Sequence, residues 1–129
     1  MGGPITFTYT VLPLNLNLLA GTWVNKNPET LNNTRDIISV DGNAAFVHAF
    51  GACVPQDCDW GTTTGNTSTW LSNHKITAVW DQGFAVVTQT IEYLSSSDRL
   101  QITTFYDFTV ADGRTDFSAT ETFAREAIP

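Results

Sequence analysis

Arg99-Leu100-Gln101-Ile102-Thr103-Thr104-Phe105-Tyr106-Asp107-Phe108-Thr109-Val110 decides the fold. Leu100, Ile102, Thr104, Tyr106, Phe108 and Val110 share one face of an extended chain, and Gln101, Thr103, Asp107 and Thr109 mostly share the other. Such alternation is the period of a half-buried β-strand and does not fit a helix. Just upstream, Ser95-Ser96-Ser97-Asp98 is a short polar turn, and residues 84–95 alternate in the same way. Two such runs around a short turn predict an antiparallel hairpin.

Working outward, the same pattern predicts strands over 21–25, 34–40, 44–52, 59–64, 74–80 and 115–125. Asp41-Gly42-Asn43, Asp81-Gln82-Gly83 and Ala111-Asp112-Gly113 carry the Gly and Asp that tight turns require. Short turns between successive strands make neighbours antiparallel. The expected fold is therefore all-β: an antiparallel up-and-down meander of eight strands over residues 21–129, closed into a barrel because closure removes exposed edges. A two-sheet β-sandwich is the alternative. No segment has a sustained helical period, and residues 27–32 have room for one turn. Ahead of the barrel, Ile5, Phe7, Tyr9 and Val11 alternate with threonines, and Leu14, Leu16 and Leu18 with Asn15 and Asn17. Residues 1–20 are thus expected to be an extra strand or an arm, available to pair with a second copy in a homo-oligomer.

Composition narrows the partners. With 6 basic against 13 acidic residues among 129, and a net charge of −7, the chain has no patch able to neutralise several phosphates. Nucleic acid and anionic membrane surfaces are therefore not expected partners. No apolar run reaches the roughly 20 residues that span a bilayer. The amino-terminal Met1-Gly2-Gly3-Pro4 lacks the charge pattern of a signal peptide. A secreted or periplasmic location, with the leader outside this chain, is the expectation, and the cytoplasm is the alternative.

The densest chemistry lies in Val47-His48-Ala49-Phe50-Gly51-Ala52-Cys53-Val54-Pro55-Gln56-Asp57-Cys58-Asp59-Trp60-Gly61. Cys53 and Cys58 are expected to form a disulfide that staples a turn between two strands. A zinc site would recruit His48, Cys53, Cys58 and Asp59 or His74, but the cysteine spacing is wide for a knuckle and no second pair exists. No metal and no cofactor is expected. Nor is there a Gly-rich phosphate loop, a nucleophile elbow or a metalloprotease motif. A small barrel enzyme using His48 and Glu121 to move a proton is the catalytic alternative. Glu121 draws notice because it shares an apolar face with Phe117 and Phe123, where a carboxylate needs a partner.

Two further stretches carry a resemblance. Leu19-Ala20-Gly21-Thr22-Trp23-Val24-Asn25 resembles the Gly-x-Trp opening of the first barrel strand in lipocalins and avidins. Phe123-Ala124-Arg125 resembles the end of their last strand, where a basic residue lies across that tryptophan. The resemblance implies a calycin-like barrel with Trp23 and Arg125 as a structural plug at one end. Residues 48–61 are also similar to a His-x-Phe-Gly-x-Cys-x-Pro-x-Asp-Cys-Asp-Trp-Gly pattern of small bacterial proteins, matched at His48, Phe50, Gly51, Cys53, Pro55, Asp57, Cys58, Asp59, Trp60 and Gly61. That likeness implies no particular activity.

Trp60 and Trp70 stand beside the Thr/Asn/Gly-rich run 62–69, where an aromatic plate among hydroxyl and amide groups suits a sugar ring or an amphipathic molecule. The function expected from the residues is non-catalytic binding of a carbohydrate or small amphipathic ligand at the loop end or mouth of the barrel. His48, Asp57, Asp59, Trp60, Trp70 and Glu121 are the candidate ligand-binding residues. A structural or assembly module is the remaining alternative.

Overall fold

A computed structural model describes residues 16–42, 44–67, 75–109 and 113–126. Eight strands follow one another in the chain: β1 (Gly21–Asn25), β2 (Asn33–Asp41), β3 (Ala44–Gly51), β4 (Cys58–Thr67), β5 (Lys75–Asp81), β6 (Ala85–Leu94), β7 (Arg99–Phe108) and β8 (Phe117–Arg125). Each pairs antiparallel with the next, and β8 returns to β1 through Trp23↔Arg125 and Asn25↔Phe123. The meander barrel is the expected fold, and the sandwich is not formed. Ile5, Phe7, Tyr9, Val11, Leu14 and Trp70 lie outside the described residues, as does His74.

In this topology the β1–β2, β3–β4, β5–β6 and β7–β8 connections gather at one end, and the β2–β3 and β6–β7 turns lie at the other. The second end is closed. Leu16–Leu18 form one turn of 3-10 helix here, closed by the Leu19 amide donating to the Leu16 carbonyl at 2.9 Å. This corrects the strand-like reading of Leu16 and Leu18. The helical turn sets Leu16 and Leu19 on one side at a spacing of three, and both are buried against the barrel floor.

Trp23 is fully buried, and its indole N–H donates to the Leu19 carbonyl at 2.8 Å. The Arg125 guanidinium lies 4.2 Å from the Trp23 ring centroid and donates to the Leu18 and Ala20 carbonyls, each at 2.7 Å. It also pairs with Asp98 at 3.0 Å. A Cβ on Gly21 would stand 2.9 Å from Arg125 Nη1, and Gly21 has φ +140°. The glycine of Gly-x-Trp is required both by backbone shape and by the arginine it leaves room for. Asp98 accepts from the Tyr93 hydroxyl at 2.8 Å, which, with Arg125, holds its carboxyl below the usual range.

Above the plug, Ile38, Ile76, Ile91, Leu100, Ile102 and Phe123 are almost completely buried and fill the barrel. β7 alternates as its sequence requires, with Leu100, Ile102, Thr104 and Tyr106 inward. The interior is therefore a packed core over the closed half of the barrel.

Candidate functional site

The open end is shaped by a break in the β3–β4 ladder. Ala49 pairs with Gly61 but Phe50 pairs with Asp59, so Trp60 is an extra, bulged residue. A bulge re-aims a side chain relative to strict alternation. Asp59 and Gly61 supply its chemistry: the Gly61 amide donates to Asp59 Oδ1 at 2.7 Å, and Gly61 takes φ +88°. The Trp60 ring is thereby delivered to the inner side, edge-on to Trp80 and Tyr106 with both centroids at 6.0 Å. Trp80 is fixed in turn by donating to the Gly61 carbonyl at 2.9 Å.

Trp60 forms one wall of a pocket of about 520 Å³ that opens between all four connections of this end. Tyr106, Phe108 and Phe117 line it as well, Tyr106 and Phe117 being stacked at 4.6 Å. Phe84 and Arg114 lie on the rim, the guanidinium 5.1 Å from the Phe84 centroid and 4.6 Å from that of Phe108. The Cys53–Cys58 disulfide, present as expected, is part of the lining. Five aromatic side chains against few polar groups make this an apolar concavity of the size that small ligands occupy.

Gly51 belongs to the same wall. A Cβ there would stand 2.6 Å from the Trp60 indole, closer than real carbon contacts come. Gly51→Ala is expected to push the indole into the mouth, shift tryptophan emission and cost about 1–3 kcal/mol of stability as an overpacked site. Emission spectra and denaturant titration of the variant check both parts.

The structure divides the residues singled out by sequence. Trp60 and Asp59 line the pocket. His48 does not: inward positions of β3 are the buried Ala45, Val47, Ala49 and Gly51, and His48 lies on the outer face. Its Nε2 meets Asp59 Oδ1 at 2.7 Å, and its ring lies 4.5 Å from that of Phe50. The Gly61 amide first, and His48 second, hold the exposed Asp59 carboxyl below the usual range. Asp57 is on the barrel's flank, accepting from the Thr34 hydroxyl at 2.7 Å in a separate groove beside Asn27 and Pro28. Glu121 faces inward and accepts from the Thr30 hydroxyl at 3.1 Å, so the partner its position demanded is a threonine. Among the described residues no group of three or more His, Cys, Asp or Glu side chains is placed to hold a metal ion.

Residues that the sequence reading passed over form a polar layer beneath the pocket. Asp36 of β2 is completely buried between Trp23 and Ala49 in the ladder, and burial pushes its carboxyl up to about 7. Asn33 Nδ2 donates to Asp36 Oδ1 at 2.8 Å. The Gln89 amide of β6 lies close enough to lower the Asp36 pKa, yet neither of its polar atoms reaches a full hydrogen bond. Asp36 Oδ2, Asn33 Oδ1 and the Tyr106 hydroxyl are also buried without a hydrogen-bond partner. Burial raises the Tyr106 pKa, and the charges of Glu121 and Asp36 raise it further. One signal was available: Asp36 shares its strand face with Ile38 and Val40, the same anomaly that drew notice to Glu121.

Comparison with known proteins finds no matching family model, no matching curated protein and no matching solved structure. What defines the class of this protein is its own geometry: a closed eight-stranded antiparallel barrel, compatible with a calycin-like one, plugged at one end and open at the other. Among the described residues no helix is long and apolar enough to cross a membrane.

Proposed function

We propose that this protein is a non-catalytic binding barrel that takes a small amphipathic molecule into its open mouth. The observation that carries the reading is the aromatic pocket of about 520 Å³ bounded by Trp60, Tyr106, Phe108 and Phe117. Its apolar lining favours an amphipathic molecule over a carbohydrate, which needs more hydrogen-bonding groups than Asn32, Asp59, Gln82 and Arg114 offer at the edge. The bulge and the staple support the same reading, since both hold the Trp60 wall at a fixed angle. His48 and Glu121 lie on opposite faces of the barrel wall, which weighs against a shared proton-transfer site. The plug of Trp23 and Arg125 supports membership of the calycin-like barrels. The disulfide fits an oxidising compartment outside the cytoplasm.

A neutral solvatochromic dye such as Nile red tests the pocket. Saturable binding at one site per chain is expected, weakened at least tenfold by Trp60→Ala and by Phe117→Ala. Phe105→Ala, on the exposed outer face of β7, is the control and leaves binding intact. Equal binding by all three variants, or no saturable binding, would overturn the proposal.

A further inference from the structure

The polar layer is incompletely hydrogen-bonded. Asn33 Oδ1, Asp36 Oδ2 and Gln89 Oε1 are three buried acceptors without a hydrogen bond, and they cluster around one carboxyl. The donors beside them, the two N–H groups of Gln89 and the Tyr106 hydroxyl, also make no full hydrogen bond, although Gln89 stands close enough to Asp36 to lower its pKa. Among the described residues no lysine or arginine acts on Asp36; the one positive charge that does is that of His48 when protonated. Buried acceptors left unmade cost on the order of 1–3 kcal/mol each. A carboxyl with no counter-charge is also driven toward its neutral form. What this layer lacks is a counter-charge beside Asp36; a compact cation with several N–H donors would supply it and meet the free acceptors.

The layer lies directly below the mouth. Val87 lines the pocket, and Gln89 is the next inward residue of the same strand, roughly 7 Å deeper by strand geometry. Tyr106 lines the pocket with its ring and turns a buried hydroxyl toward a region influenced by Asp36 and Glu121. The interior thus changes, with depth, from aromatic to acceptor-rich and acidic.

We propose that the mouth pocket and this layer form one site for a primary amine, its ammonium group held by Asp36, Asn33 and Gln89 and its apolar body lying among Trp60, Tyr106 and Phe117. The inference rests on the mouth being a binding pocket and adds the chemical class of the ligand. Three acceptors match the three N–H donors of an ammonium group, and ring faces attract the same cation on its way in. The protein's net charge of −7 raises the local concentration of cations and lowers that of anions. A carboxylate ligand would meet Asp36 and Glu121, and a neutral alcohol would leave two acceptors unmet.

Calorimetric titration with 2-phenylethylamine, 2-phenylethanol and phenylacetate, chosen for their common ring, tests the proposal. At pH 8 the amine is expected to bind at least tenfold tighter than the alcohol, and phenylacetate weakest. Asp36→Asn should abolish the preference for amine, so that amine and alcohol bind within about twofold of each other. The second measurement uses the wild-type chain. Between pH 8 and pH 6 the amine stays protonated, so its affinity should fall about tenfold as Asp36 takes up a proton, while alcohol affinity stays level. His48 and Tyr106 are the other titratable groups whose charges couple to Asp36, and Glu121 couples to Tyr106. The fall should persist in His48→Gln, since Asp36 remains in that variant.

Amine and alcohol binding equally, both lost in Trp60→Ala, would overturn the amine site and leave the mouth pocket standing. No saturable binding by any of the three would remove both. A pH effect that disappears in His48→Gln would also overturn the role given to Asp36.

Discussion

Trp23→Ala is expected to lower the unfolding free energy by about 3–5 kcal/mol, the range for truncating a large buried aromatic. The side chain is fully buried and meets Leu19, Tyr93 and Arg125 at the closed end. Its loss leaves a cavity beneath Leu16 and Leu19, an unmet Leu19 carbonyl and an Arg125 guanidinium with no ring beneath it. Arg125→Lys separates these contributions, because a lysine keeps the charge but cannot reach the Leu18 and Ala20 carbonyls with a planar fork. It should cost less than Trp23→Ala. Chemical denaturation of both variants checks the order; a Trp23→Ala loss near 1 kcal/mol would show that the plug is not what closes this end.

The second large effect is a pH dependence carried by Asp36. Its folded-state pKa is raised by burial from 3.8 to about 7, so the folded protein binds this proton more tightly than the unfolded chain does. Stability from this group is fully present below about pH 4, falls as pH rises through about 7, and is level above that. Asn at the same position can keep the Asn33 contact and cannot ionise. Asp36→Asn should therefore flatten the profile, and should be more favourable relative to wild type at pH 8 than at pH 4 by a few kcal/mol in order of magnitude. Asp59 and Asp98 have lowered pKa values, so their contributions are lost toward acid. They are common to both chains and cancel in the difference. Urea titrations of both proteins across pH 4–8 measure it; parallel profiles would contradict a buried, titrating Asp36.

The barrel was legible because period-2 alternation and turn chemistry agree along most of the chain. β7 needed no correction, and the hairpins fall where Gly42 and Gly83 supply positive φ. Leu16 and Leu18 misled because a single 3-10 turn is too short to impose a period on the sequence. The site was legible in part. Trp60 and the disulfide stood out through composition, yet alternation cannot show that a bulge swings Trp60 inward. His48 drew notice by the company it keeps in the chain, and strand parity then turns it outward. In β7, alternation groups Tyr106 and Phe108 on one face with Leu100 and Ile102, and the structure turns that face inward. Alternation gives the face of a strand but not the height along the barrel, so mouth residues and core residues look alike. Asp36 and Gln89 escaped for the same reason: their meaning lies in which residues meet across the barrel, on strands far apart in sequence.

Indole N–H NMR of the protein labelled at its tryptophans tests ligand entry at the mouth most directly. Titration with 2-phenylethylamine should move the Trp60 signal, and that of Trp80 packed against it, in a saturable manner. The Trp23 signal, sealed in the plug at the opposite end, should stay in place. Saturable shifts at Trp23 with Trp60 unmoved, or no shift at any indole up to millimolar ligand, would contradict a binding site in the open mouth.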